Sequence, residues 1–120
     1  MSEAFAASLG VNIPQMTKTP GGDYYKDITL GTGTTLTNQA NVVVDYVGYL
    51  KNGVQFDSGS AVPFDLRRLV FGFGDGMIGM KVGGERLIVI PSDNGYGPYS
   101  NGPIPPNSTL VFDVKLRSIP

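Results

Sequence analysis

Residues 109–118 read Thr-Leu-Val-Phe-Asp-Val-Lys-Leu-Arg-Ser. Leu110, Phe112, Val114 and Leu116 alternate with Asp113, Lys115 and Arg117. A period of two places the first set on one face of an extended chain and the second on the other. A strand with one dry and one wet face belongs to an antiparallel sheet packed on one side. Upstream, residues 42–50 (VVVDYVGYL) carry β-branched and aromatic side chains on both faces and form the clearest strand. Lys51, Asn52 and Gly53 follow as a tight turn, Asn-Gly being the strongest short hairpin signal, and residues 54–58 return antiparallel. Residues 23–30 (DYYKDITL), ended by Gly31 and Gly33, and residues 84–91 (GERLIVIP), ended by Pro91, are two more strands. One stretch has a helical period. Leu69, Phe73, Met77 and Met80 fall on one helical face. Gly72, Gly74, Gly76 and Gly79 interrupt it, each costing about 1 kcal/mol against Ala, so this helix must be short and packed. The pattern predicts an antiparallel sheet curved over one short helix.

At 120 residues the chain makes one domain. Glycine (17) and proline (9) together make up about 22%, against a usual share near 12%, which excludes a helical bundle. With 41% apolar residues a core can still be buried. There is no His, no Cys and no Trp. No disulfide, thiolate nucleophile, Ser-His-Asp triad or zinc–cysteine site can be built, and no cofactor or metal is expected. The net charge is −1, and the only adjacent cations are Arg67 and Arg68, so nucleic acid is not an expected partner. No apolar run approaches the roughly 20 residues of a membrane helix. Residues 1–22, punctuated by Pro14, Pro20, Gly21 and Gly22, are expected to form an extended arm ahead of a domain spanning 23–120. Residues 1–9 contain Glu3 and no cation, unlike a signal peptide. The compartment stays open: cytoplasmic, or periplasmic or secreted if a signal was removed.

Three local signals carry chemistry or its imitation. Residues 74–79 match G-x-G-x-x-G, but a strand follows almost at once, where a dinucleotide site needs a long helix in a parallel βαβ unit; close packing is the better reading. Asn107-Ser108-Thr109 is a formal glycosylation acceptor directly after Pro105-Pro106, and reads as a turn into the last strand. Asp57, between Phe56 and Ser58-Gly59-Ser60, either caps a loop or is a carboxylate held beside an aromatic wall. The loop of residues 92–108 is long, rich in turn residues and carries Tyr96, Tyr99 and Ile104. It is either surface decoration or a functional loop.

Taken in order, these pieces resemble the FKBP-type peptidyl-prolyl isomerases. The resemblance rests on residues 44–50 (VDYVGYL), Asn52-Gly53, Phe56-Asp57-Ser58, Gly76-Met77, residues 80–86 (MKVGGER), Ile90-Pro91 and Gly95-Tyr96-Gly97. Residues 104–114 (IPPNSTLVFDV) complete it and are its most specific part. It covers roughly residues 23–119 and implies an α+β fold, a curved, mostly antiparallel five-stranded sheet wrapped around one short helix. It implies cis/trans isomerisation of the bond before proline, with proline-containing segments as partners and FK506- or rapamycin-type macrolides as ligands of an apolar pocket. In that pocket Tyr46, Phe56, Phe64 and Phe112 are aromatic walls. Phe73 is the floor, where many members carry Trp. Leu69 and Val70 form the rim, with the Val70 amide donating to a ligand carbonyl. Asp57 is an acceptor beside the pocket, the Tyr96 hydroxyl a donor to a substrate carbonyl, and Ile104 closes the loop side. Asp57, Tyr96 and Phe112 are the catalytic candidates, and a monomer is expected. The segment between Phe64 and Leu69 is shorter than in typical members, which implies a more open rim, and Asp45 stands where members frequently carry His. The alternative is a proline-segment binding module or chaperone with little turnover.

Overall fold

The computed structural model describes residues 5–38 and 41–120. In chain order it contains β1 (Thr17–Lys18), β2 (Tyr24–Thr29), β3 (Asn41–Leu50), β4 (Gln55–Asp65), α1 (Phe71–Met77), β5 (Glu85–Ile90) and β6 (Leu110–Ser118). The strands form one sheet in the order β1-β2-β5-β6-β3-β4, every neighbouring pair antiparallel. The sheet has six strands where five were expected. The sixth is two-residue β1, which pairs Thr17 with Tyr25 and Lys18 with Tyr24. It is too short to show a period, so nothing in its pattern announced it.

The alternation of residues 109–118 survives in β6. Leu110, Val114 and Leu116 are fully buried on the inner face, together with Val42 and Val44 of β3 and Ile88 and Ile90 of β5. α1 lies across this face and contributes Phe73 and Met77. It is narrower than the periodic stretch: Leu69 precedes it and Met80 follows it, both still packed on the core. Its glycines allow a close approach. A Cβ at Gly72 would stand 2.4 Å from the Ile90 Cγ2, and one at Gly76 2.4 Å from the Ile88 Cγ2. The G-x-G-x-x-G run is thus a packing feature in a seven-residue helix followed by a turn.

Arg86 secures the far end of α1. It is buried, its Nη1 donates to the carbonyls of Gly76 (3.0 Å) and Ile78 (2.9 Å), and its Nε donates to Asp27 (2.7 Å). The guanidinium also lies 4.0 Å from the centroid of the Tyr25 ring. Carbonyls orphaned at a helix end thereby gain a charged donor whose own charge is paired.

The outer face is only partly wet. Leu87, Val89 and Val111 form a second, smaller core beneath Phe5, Leu9, Val11, Ile13 and Met16. Residues 5–16 therefore cross the sheet rather than extend from it, held by apolar contact and by a hydrogen bond from the Ala6 N–H to the Lys51 carbonyl (2.8 Å). The triplet at residues 107–109 begins in a turn: Asn107 has φ 58°, and the Ser108 hydroxyl donates to the Pro105 carbonyl at 2.7 Å.

Candidate functional site

Five rings converge where β3, β4, β6 and α1 meet. Phe73 lies 5.0 Å from Phe112, 5.8 Å from Phe64 and 6.4 Å from Tyr46, centroid to centroid, all near edge-to-face. Tyr46 lies 5.3 Å from Phe64 and 6.3 Å from Phe112, and Phe56 lies 5.6 Å from Phe112. These are the separations at which ring quadrupoles attract. Phe73 and Phe112 are buried, whereas Tyr46, Phe56 and Phe64 are half-buried. The arrangement has a deep floor, supplied by the helix and the central strand, and three partly exposed walls.

Two glycines make room for it. A Cβ at Gly48 would come within 2.7 Å of the Phe112 ring and 2.8 Å of the Phe56 ring. One at Gly59 would come within 2.8 Å of the Tyr46 ring. Neither was singled out as a site residue from sequence, because each acts by leaving space for a side chain distant along the chain.

β4 supplies three of the residues and does so through two irregularities. Gly48 pairs with Asp57 and Tyr49 with Gln55, leaving Phe56 as an extra residue. Further along, Tyr46 pairs with Gly59 and Val44 with Val62, leaving a second extra residue at 60–61. In a regular strand Phe56 and Asp57 would point to opposite faces. The first bulge lets both approach the ring cluster.

Asp57 is exposed, and both its oxygens are engaged: Oδ2 accepts from the Tyr46 hydroxyl at 2.8 Å and Oδ1 from the Ser58 N–H at 2.8 Å. Burial, the Asp57 hydrogen bond and charge, and the neighbouring Tyr96 push the Tyr46 hydroxyl up to about 12. Tyr46 therefore stays a neutral donor throughout the physiological range. Leu69 and Val70 pack against the core that holds Phe73 and Phe112, and Ile104 is buried in the same core. Val70 is the residue from which α1 starts; its carbonyl accepts from the Phe73 N–H, and no acceptor among the described residues takes up its own N–H. Tyr96 stands 37% exposed in the loop after β5. That loop is stapled by hydrogen bonds from Gly97 N–H to the Ser92 carbonyl (2.9 Å) and from Asn107 N–H to the Gly97 carbonyl (2.8 Å).

The structure thus gathers Tyr46, Phe56, Asp57, Phe64, Phe73 and Phe112 into direct contact. It sets Leu69, Val70 and Ile104 around them in the same core and leaves Tyr96 at the surface beside Tyr46. A second hollow of about 390 Å³ shares Tyr46 with the ring cluster and is otherwise bounded by Asp45, Gly59, Glu85, Asp113 and Lys115. Charged side chains rim it, and none of the phenylalanines lines it. Burial and the adjacent Glu85 push the Asp113 carboxyl there up to about 7. Among the described residues no three His, Cys, Asp or Glu side chains group to hold a metal ion, and no helix is long and apolar enough to cross a membrane.

Residues 32–117 match the model of the FKBP-type peptidyl-prolyl cis-trans isomerase family. The chain is 42% identical over 104 residues to a Dictyostelium discoideum protein named FK506-binding protein 4. That match takes in 82% of this chain and 29% of the relative, so the chain spans less than a third of that relative's length. It is 35% identical over 106 residues to an FK506-binding protein of Neisseria meningitidis, covering 82% of this chain and 97% of that one. Among solved structures, a peptidyl-prolyl cis-trans isomerase of Pseudomonas syringae superposes with a TM-score of 0.83 at 30% identity, over 94% of this chain and 86% of the other.

Proposed function

Because the chain belongs to the family of FKBP-type peptidyl-prolyl cis-trans isomerases, we propose that it catalyses rotation about X-Pro peptide bonds in the ring cluster and so assists the folding of proline-containing proteins. The observation that carries this reading is the five-ring wall and floor beside a Tyr46–Asp57 hydrogen bond. Residues 23–120 are the catalytic unit, with residues 5–16 ahead of them packed over the outer sheet face. Each chain carries every residue assigned a role, so a monomer suffices.

The reaction breaks and makes no covalent bond. Its obstacle is amide resonance, a barrier of about 18–20 kcal/mol. In the twisted transition state conjugation is lost, and the amide dipole is smaller than in the planar form. Phe56, Phe64, Phe73 and Phe112 surround the prolyl ring with a water-poor wall that favours the less polar, twisted state. The Val70 N–H and the Tyr96 hydroxyl hold the carbonyls on either side, so the strand cannot turn as a whole while one bond rotates. Asp57 fixes the Tyr46 ring as a wall through the phenol hydrogen bond, and Leu69 and Ile104 close the two ends of the slot. A thousandfold acceleration needs about 4 kcal/mol of preference for the twisted form. Neither a general base nor a nucleophile takes part, which accords with a chain lacking His and Cys.

The same slot is suited to an FK506- or rapamycin-type macrolide, whose apolar ring and dicarbonyl would take the place of the prolyl peptide. The test is refolding of a proline-limited protein with substoichiometric amounts of this chain. Acceleration abolished by an equimolar macrolide is expected. Binding of the unfolded substrate without acceleration would assign a binding module instead.

A further inference from the structure

Asp45 lies on β3 next to Tyr46 but faces the outer side of the sheet, away from the rings. Its Oδ1 nevertheless accepts three hydrogen bonds: from the Ala61 N–H at 2.7 Å, the Ser60 hydroxyl at 3.3 Å and the Arg117 Nε at 2.7 Å. The first two donors are the second bulge of β4. The third comes from β6, on the opposite side of β3. Ala61 is held at φ 51°, in the left-handed region that side chains other than glycine rarely adopt. The flanking residues Gly59 and Val62 take the ladder partners, so the bulged N–H needs an acceptor from elsewhere. Asp45 supplies a charged one.

The bulge decides which side chains share a face. Asp57 and Phe64 are an odd number of residues apart, which in a regular strand would point them in opposite directions. The extra residue at 60–61 restores both to the inner face. There Asp57 reaches the Tyr46 hydroxyl at 2.8 Å and Phe64 its ring at 5.3 Å. A slip of one residue would turn one of the two outward.

We propose that Asp45, anchored by Arg117, is a positioning residue for this site: by clamping the Ser60–Ala61 bulge it holds Asp57 and Phe64 together on Tyr46. Its effect on rate rests on the isomerase reading; its effect on geometry does not. Arg117, the Ala61 N–H and the Ser60 hydroxyl hold the Asp45 carboxyl down at about 2, so the clamp is charged wherever an assay is run.

The experiment compares wild type, Asp45→Ala, Asp45→Asn and Arg117→Ala, well below their melting temperatures. Three readouts are taken: kcat/KM on a short X-Pro peptide, ionisation of the Tyr46 ring followed by NMR, and ring-to-ring contacts between Tyr46 and Phe64. Asp45→Ala is expected to lower kcat/KM by about tenfold to a hundredfold, the scale of a sub-ångström to ångström misplacement. Tyr46 should then ionise below about 12, shifted toward the ordinary 10.0 by the loss of the Asp57 hydrogen bond and charge. Asp45→Asn keeps an oxygen for Ala61 and Ser60 and is expected to recover most of the activity. Arg117→Ala should shift Tyr46 in the same direction as Asp45→Ala, but less. A lowered melting temperature with kcat/KM, Tyr46 ionisation and ring contacts all as in wild type would overturn the proposal. Should Asp45→Ala fail to fold, wild-type values in Arg117→Ala would overturn it equally. A wild type without isomerase activity would sink the functional reading alone. The clamp would then stand or fall on Tyr46 ionisation and the ring contacts.

Discussion

Tyr46 ties the polar and apolar halves of the site together, since its hydroxyl is held by Asp57 while its ring touches Phe64, Phe73 and Phe112. Tyr96 is the less constrained partner: it is partly exposed and its assigned role is one hydrogen bond to substrate. A neutral hydrogen bond contributes about 0.5–1.5 kcal/mol, so Tyr96→Phe should lower kcat/KM by roughly twofold to tenfold and leave the far-UV circular dichroism unchanged. A loss of a thousandfold would mean that Tyr96 does something other than orient a carbonyl. At this scale the sequence was readable where a motif fixed residue and neighbours together, as in Tyr46-Val47-Gly48 and Phe56-Asp57-Ser58. It was unreadable where a residue acts across strands. Asp45 stood out only as a departure from a frequent His, with no partner to give it a role, and the space that Gly48 and Gly59 leave shows only once Phe112, Phe56 and Tyr46 are in place.

Among the elements, α1 is the most exposed to damage, because Phe73 is delivered by a helix that touches the sheet through glycine. Gly76→Ala would set a Cβ 2.4 Å from a methyl of Ile88, a fully buried β-branched side chain with little room to move. The helix must then lift. Its better helix propensity offsets about 1 kcal/mol, yet overpacking costs about 1–3 kcal/mol. Chemical denaturation should show a net loss of stability, and substrate binding should weaken as Phe73 moves. A more stable variant with unchanged binding would contradict this account of the contact. Sequence periodicity found α1 and every strand of the sheet except β1, since each long strand carries β-branched and aromatic residues. It placed the end of β4 too early, at residue 58 rather than Asp65. The two bulges there interrupt the period of two on which a strand is recognised, and Pro63 reads as a terminator although it lies in the strand.

The whole molecule stores an ionisable group that its function does not use. Asp23 is fully buried beneath α1, accepting on one oxygen from the Asn94 amide at 3.0 Å, while its other oxygen finds no partner among the described residues. Burial pushes its carboxyl up to about 7, with Asn94 opposing and Asp75 adding to the rise. A carboxyl raised above its unfolded value of 3.8 binds its proton more tightly in the folded chain, so the stability it contributes is full below about 4 and declines as pH climbs through about 7. Asp113, raised for a similar reason, works in the same direction. Denaturation midpoints across that range should fall with pH, and Asp23→Asn should flatten the fall without abolishing it; an unaltered slope would show that Asp23 is not the source. Well above pH 7 this effect is complete, so it does not confuse an assay run there. The central claim, that the ring cluster turns X-Pro bonds, is tested most directly by NMR exchange on a short X-Pro peptide. Left alone, the cis and trans signals interchange over tens to hundreds of seconds. A catalytic amount of this protein should bring exchange cross-peaks within about a second, and Phe56→Ala, at the half-exposed wall, should remove most of them. Peptide signals that shift on binding but never exchange, or exchange as fast with Phe56→Ala as with wild type, would contradict it.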